Sequence, residues 1–168
     1  MGVGIVRDVE ELSLGSEIEI DLEKTMGATA RFFKLTLPHY IKGAGLRLND
    51  LTSPEITDMP ITRSTANTQE IKIMKAWERV EQYEKKVVTV YKTLQVCANT
   101  QIQPYRTILV NKYVEGFPDW QIANTIQYSD RQYHTKKKLA LCEFAECLET
   151  QKIKNGTLDM PVLLRYKE

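Results

Sequence analysis

The stretch PDWQIANTIQYSDRQYHTKKKLALCEFAECL, residues 118–148, decides how the rest of the chain is read. Pro118 and Asp119 are a good signature for the first turn of a short helix, on which Trp120, Ile122, Ala123 and Ile126 follow. Gln127 and Tyr128 form a turn, and Ser129 is a strong N-cap for a further helix predicted to run to about residue 148. Two short helices crossing steeply need a small side chain where their backbones approach. Ala123 supplies it, while Ile126 and Tyr128 bracket the turn and fill the space beneath it. Upstream, Pro104 can open another helix whose amphipathic face carries Ile108, Leu109, Lys112 and Tyr113, with Gly116 suited to its C-terminal cap. This order of elements predicts a helix-turn-helix.

In the helix after Ser129, Tyr133, Ala140, Leu141, Phe144, Ala145 and Leu148 fall on the inner face. Asp130, Arg131, Gln132, His134, Thr135 and Lys138 are left outward or on the flanks, on the part of such a unit that enters a major groove. Arg131 can donate two hydrogen bonds to guanine, and Gln132 can pair with adenine. Lys136, Lys137 and Lys138 form the densest basic run in the chain. A solvated face is the ordinary reading of such a run, but its place on the expected recognition helix favours phosphate contact. Asp130 is read as a favourable charge in the first turn and His134 as a polar groove residue. Trp120 has two readings, a core side chain or an indole resting on the DNA backbone. With Ser129 it completes the candidate DNA-contacting set.

Outward from this unit, residues 68–99 contain neither Pro nor Gly. Ile73, Trp77, Val80, Val87, Tyr91, Leu94 and Ala98 follow three-and-four spacing broken only by Glu84, which predicts a helix of about eight turns. The stripe either packs on the C-terminal helices or is a seam for self-association into a homodimer. Residues 46–69 are dense in turn formers and make the best boundary in the chain. Earlier still, Glu17-Ile18-Glu19-Ile20-Asp21 alternates as a lone strand would. Asp21 can then cap a short helix running through Lys34, with Pro38 near its end and Gly43 and Gly45 interrupting any continuation. The expected architecture is mainly α. It has a small N-terminal helical segment and turn-rich connection (1–67), a long helix plus helix-turn-helix (68–150) and a C-terminal tail (151–168).

Of 168 residues, 42% are hydrophobic and 27% charged, as in an ordinary globular protein, and the formal charge is only +1. A nucleic-acid surface must therefore come from local clustering. Cys97, Cys142 and Cys147 form no C-x-x-C, and with His39 and His134 as the only histidines a zinc site lacks ligands. Free thiols in a reducing cytosol are expected, with no metal and no cofactor. Gly43-Ala-Gly45 lacks the further glycine of a phosphate loop, and nothing gathers a catalytic set, so an enzyme is not expected. No apolar run is long enough for a signal peptide or a membrane span, which predicts a cytoplasmic protein without a membrane partner.

The run from Arg106 through Gly116, with Gln121-Ile-Ala123, Ser129 and Ala140-Leu141, resembles region four of bacterial sigma factors. A longer resemblance, over roughly residues 30–148, is to the ArpU family of phage and prophage regulators. It rests on Ser53-Pro54, Asp58-Met59-Pro60, Asn67 with Glu70, Pro118-Asp-Trp-Gln-Ile122, Tyr128-Ser129-Asp-Arg131-Gln132-Tyr133, Ala140-Leu141 and Phe144-Ala145-Glu146. The resemblance implies a regulator encoded by a phage or prophage that activates late, packaging or lysis genes in a bacterial host. Its partners would be double-stranded DNA and, on the sigma-like side, host RNA polymerase. A small terminase-like packaging component and a module that mainly binds polymerase are the competing expectations.

Overall fold

In a computed structural model, residues 19–52 and 68–168 are described. The fold is mainly α, as expected, with a long central helix. Helix α1 (Leu22–Arg31) is capped by Asp21, whose carboxylate accepts from the Lys24 N–H at 3.0 Å. It does not end near Lys34. A π-helical segment (Phe32–Thr36) leads directly into α2 (Leu37–Ala44), and Gly45 at φ 70° closes the rod. Pro38 lacks the N–H of an α-helical bond and its ring crowds the preceding turn. The π segment ends just before it, and the helical path continues through the proline.

Gly43, expected to interrupt, sits inside α2 for a packing reason. A Cβ there would lie 2.4 Å from the Tyr83 ring of helix α3 (Thr68–Val96). A 3-10 turn (Leu48–Thr52) follows the rod and buries Leu51. The turn-rich stretch 53–67, with the family motif residues in it, lies outside the described residues, as do Glu17 and Ile18.

Helix α4 (Tyr105–Leu109) begins after Pro104 and runs into a second π segment (Val110–Val114), ended by Gly116 at φ 74°. Helices α5 (Asp119–Thr125) and α6 (Asp130–Asn155) complete the order. Helix α6 is longer than predicted. Its buried face continues past Leu148 through the polar Gln151 and Lys152, and it closes on Gly156 at φ 67°, whose N–H and that of Thr157 bond back to Ile153 and Lys152.

Among the described residues the main core joins the N-terminal rod, α3, α6 and the C-terminal segment. Phe32, Phe33, Leu37 and Ile41 from the N-terminal rod cluster with Val87, Val90 and Leu94 of α3 and with Leu141, Phe144 and Leu148 of α6. Phe33 lies flat on Tyr113, ring centroids 4.6 Å apart, and against Phe144, also at 4.6 Å. The division after residue 67 is therefore not a division of the core. Nor are residues 151–168 a loose tail. Met160, Leu163 and Leu164 are buried in the same cluster, Thr157 meets Thr89 at 2.9 Å, and Tyr166 forms an antiparallel bridge with Ile20. These contacts join residues far apart in sequence, so local patterning gave no sign of them. Among the described residues no helix is long and apolar enough to cross a membrane.

Candidate nucleic-acid interface

The helix-turn-helix has a small core of its own. Ile108 from α4, Ile122 and Ala123 from α5 and Tyr133 from α6 are fully buried together, and Ile126 and Tyr128 pack against them. Ala123 takes the close-approach position for which its size fits it. The turn is tight. The Tyr128 N–H returns to the Ala123 carbonyl at 2.9 Å, and Gln127 adopts φ 61°, a left-handed conformation that a β-branched residue there would resist. The Tyr128 hydroxyl donates to the Gln101 carbonyl at 2.7 Å and ties the turn to the loop ahead of α4.

Ser129 starts α6 with a capping box. Its hydroxyl accepts from the Gln132 N–H at 3.3 Å, while the Gln132 side-chain oxygen accepts from the Ser129 N–H at 3.2 Å. Ser129 is thus placed as a helix cap. Gln132, predicted to read adenine, is exposed, but the oxygen that such pairing requires is held in the box. A Gln three residues after a Ser N-cap is the signal that gives this away, and it stood in the sequence.

A charge hub behind the recognition surface joins three elements. Asp119, at the first turn of α5, accepts from the Tyr133 hydroxyl at 2.7 Å. It pairs with Lys112 at 3.2 Å and Lys137 at 3.5 Å. Burial alone would raise its pKa, but the Tyr133 hydrogen bond and the two lysines hold the carboxyl below its ordinary value. For Tyr133, burial and then the Asp119 carboxylate push the phenol far above its usual range. Nothing in the local pattern marked Asp119 as more than a helix-start residue.

The hub divides the basic run. Lys137 is turned inward, to Asp119 and over the Tyr133 ring at 5.7 Å, and Lys138 pairs with Glu23 of α1. Lys136 is half-exposed and pairs with no carboxylate among the described residues. Arg131 and His134 are exposed, and Thr135 is exposed with its hydroxyl bonded back to the Arg131 carbonyl. The core reading of Trp120 fails. It is 62% exposed on α5. The first two turns of α6 therefore present Arg131, His134 and Thr135 outward, Lys136 on their flank and Trp120 on the preceding helix.

The three cysteines are free, Cys97 and Cys142 buried and Cys147 half-buried. No family model, curated protein or solved structure matches this chain.

Proposed function

We propose that the protein is a sequence-specific DNA-binding transcription regulator that inserts the first two turns of α6 into a major groove. The observation that carries this reading is the α5–turn–α6 unit. Two helices are fixed by their own buried core, and the start of the second, held by a capping box and a charge hub, bears exposed donors. Rigid placement of a few donors is what base-edge readout needs, because wrong bases are rejected only when the donors cannot shift.

Arg131 is the leading base reader, bidentate to a guanine. His134 and Thr135 are supporting groove contacts, and Gln132 contributes only through its amide donor unless it leaves the box. Lys136 contacts phosphate, joined by Lys137 and Lys138 where they exchange their carboxylates for the DNA backbone. Trp120 rests against the sugar-phosphate edge. The resemblance to the ArpU and sigma region-four modules supports a phage or prophage regulator acting on late genes in a bacterial host, with polymerase as a neighbouring partner.

A genome-wide binding map made with the purified protein on phage and host DNA tests this. A small number of sites at promoters upstream of late genes is the expected result. A single site at a packaging start would support the terminase-like alternative instead. The absence of any enriched site would reject sequence-specific binding.

A further inference from the structure

Two of the three thiols meet where the end of α3 rests on α6. Cys97 directly follows Val96, the last residue of α3, and Cys147 lies one helical turn beyond Glu143 on α6. The Ala98 N–H donates to the Glu143 carboxylate at 2.9 Å, which fixes the chain around Cys97 against that row of α6. From the other side, the Arg106 guanidinium holds the end of α3 by donating to the Leu94 and Gln95 carbonyls at 3.1 and 2.8 Å. Cys97 is 1% exposed in the main core, and its thiol donates to the Cys147 sulfur. Cys147 is half-buried. Cys142 faces elsewhere, its thiol donating to the Leu22 carbonyl of α1 at 3.5 Å.

The two thiols are therefore unlike. Donation from Cys97 stabilises the Cys147 thiolate and lowers the pKa of that thiol, against burial and the nearby Glu143 and Glu146 carboxylates. The same hydrogen bond, with burial, keeps Cys97 protonated. A solvent-accessible thiolate beside a second, protonated thiol is the arrangement in which oxidation by a peroxide ends in a disulfide.

We propose that Cys147 is a site of oxidation by hydroperoxides and that Cys97 resolves it to an intramolecular disulfide. The Cys147 thiolate attacks one peroxide oxygen, so that an S–O bond forms and the O–O bond breaks. The departing oxygen takes up the proton that the thiol had released and leaves as water, with Cys147 a sulfenic acid. The Cys97 sulfur then attacks the Cys147 sulfur. The S–S bond forms, the S–O bond breaks, and the Cys97 proton leaves with the hydroxide as a second water. The two sulfurs lose one electron each, and the peroxide takes up both.

The disulfide joins the end of α3 to α6 at the base of the helix-turn-helix. It anchors the loop that begins at Cys97, in which the Gln101 carbonyl accepts from the Tyr128 hydroxyl of the turn. The exposed donors of α6 take no part in the link.

Peptide mapping of the full chain tests this. The protein is treated with hydrogen peroxide, alkylated under denaturing conditions and analysed by mass spectrometry without reduction. The expected product is a monomer lighter by two hydrogen atoms, with one peptide pair joining residues 97 and 147 and with Cys142 alkylated. Dithiothreitol should reverse it. Cys142→Ser should leave the link unchanged, whereas Cys97→Ala should leave Cys147 as a sulfenic acid that dimedone labels. Methionine oxidation in the same sample is the internal gauge of peroxide exposure. Cys97 and Cys147 both still alkylated after methionines have begun to oxidise would overturn the proposal. So would a link between two chains, a link through Cys142, or Cys147 carried on to sulfinic acid with Cys97 still free.

Discussion

Phe33→Ala is the perturbation that tests most severely whether the N-terminal rod and the helix-turn-helix are one folding unit. Phe33 is 3% exposed and lies between Tyr113, in the π segment that leads toward the helix-turn-helix, and Phe144 of α6. Truncating a buried phenylalanine costs about 3–5 kcal/mol, and each aromatic pairing adds roughly 0.5–1.5 kcal/mol beyond burial. The cavity is walled by three helical elements that cannot all move inward, so the expected loss lies in the upper part of that range, about 4–5 kcal/mol. For a chain of this size that lowers Tm by roughly 10–15 °C. The assay is chemical and thermal denaturation by circular dichroism, joined to native-state amide exchange resolved by segment. A single cooperative transition, with protection lost in α1, α5 and α6 together, is the predicted result. Retained protection in α5 and α6 while α1 exchanges freely would refute the shared core. It would also restore the expectation that a fragment starting near Gln69 folds alone.

Three further perturbations follow from particular contacts. Asp119→Asn weakens the Tyr133 hydrogen bond and removes two partly exposed ion pairs, for an expected loss of about 1.5–3 kcal/mol at neutral pH. Because the folded carboxyl is held below its ordinary value, its contribution is present above the unfolded value near pH 4 and is lost as pH falls through the folded pKa. The stability gap between wild type and variant, measured by urea titration, should thus close below about pH 4. A gap independent of pH would exclude the hub. Gly43→Ala should destabilise by about 1–2 kcal/mol because its Cβ meets the Tyr83 ring, whereas Gly27→Ala, with open space around its Cβ, should stabilise by about 0.5–1 kcal/mol. Equal effects of the two in thermal melts would contradict the close packing of α2 on α3. Cys147 should be alkylated first by iodoacetamide. The Cys97 thiol hydrogen-bonds it and lowers its pKa, while burial raises Cys142 to about 12, and peptide mass mapping would contradict this if Cys142 led.

What the sequence made legible was whatever local chemistry writes. Ser129 as a helix cap, the Pro118-Asp119 start and the small Ala123 each occupy the place that their residue types predict. Less legible were features decided by distant partners. Pro38 reads as a terminator until the π segment before it is seen, and Gly43 reads as a breaker until Tyr83 is placed against it. The stripe on α3 was read as one surface. In the folded chain Glu84 separates its exposed start, Ile73 and Trp77, from its buried end, Val87 and Leu94. Of the candidate site, the helix that bears it was legible, but which lysines are free was not. Asp119 and Glu23, 18 and 115 residues away from their respective lysines, decide that.

The central claim, that the start of α6 reads base edges, is tested most directly by titrating three proteins onto two DNA duplexes by fluorescence anisotropy. The duplexes carry the highest-affinity site from the binding map and a scrambled version of it, and the proteins are wild type, Arg131→Ala and Lys136→Ala. The account predicts that Arg131→Ala loses about 1–3 kcal/mol on the target, roughly ten- to a hundred-fold in affinity, with little change on the scrambled duplex. Lys136→Ala should weaken both duplexes alike and reduce the salt dependence by about one phosphate contact. Equal losses on both duplexes from Arg131→Ala, or a wild-type protein that binds the two alike, would contradict it.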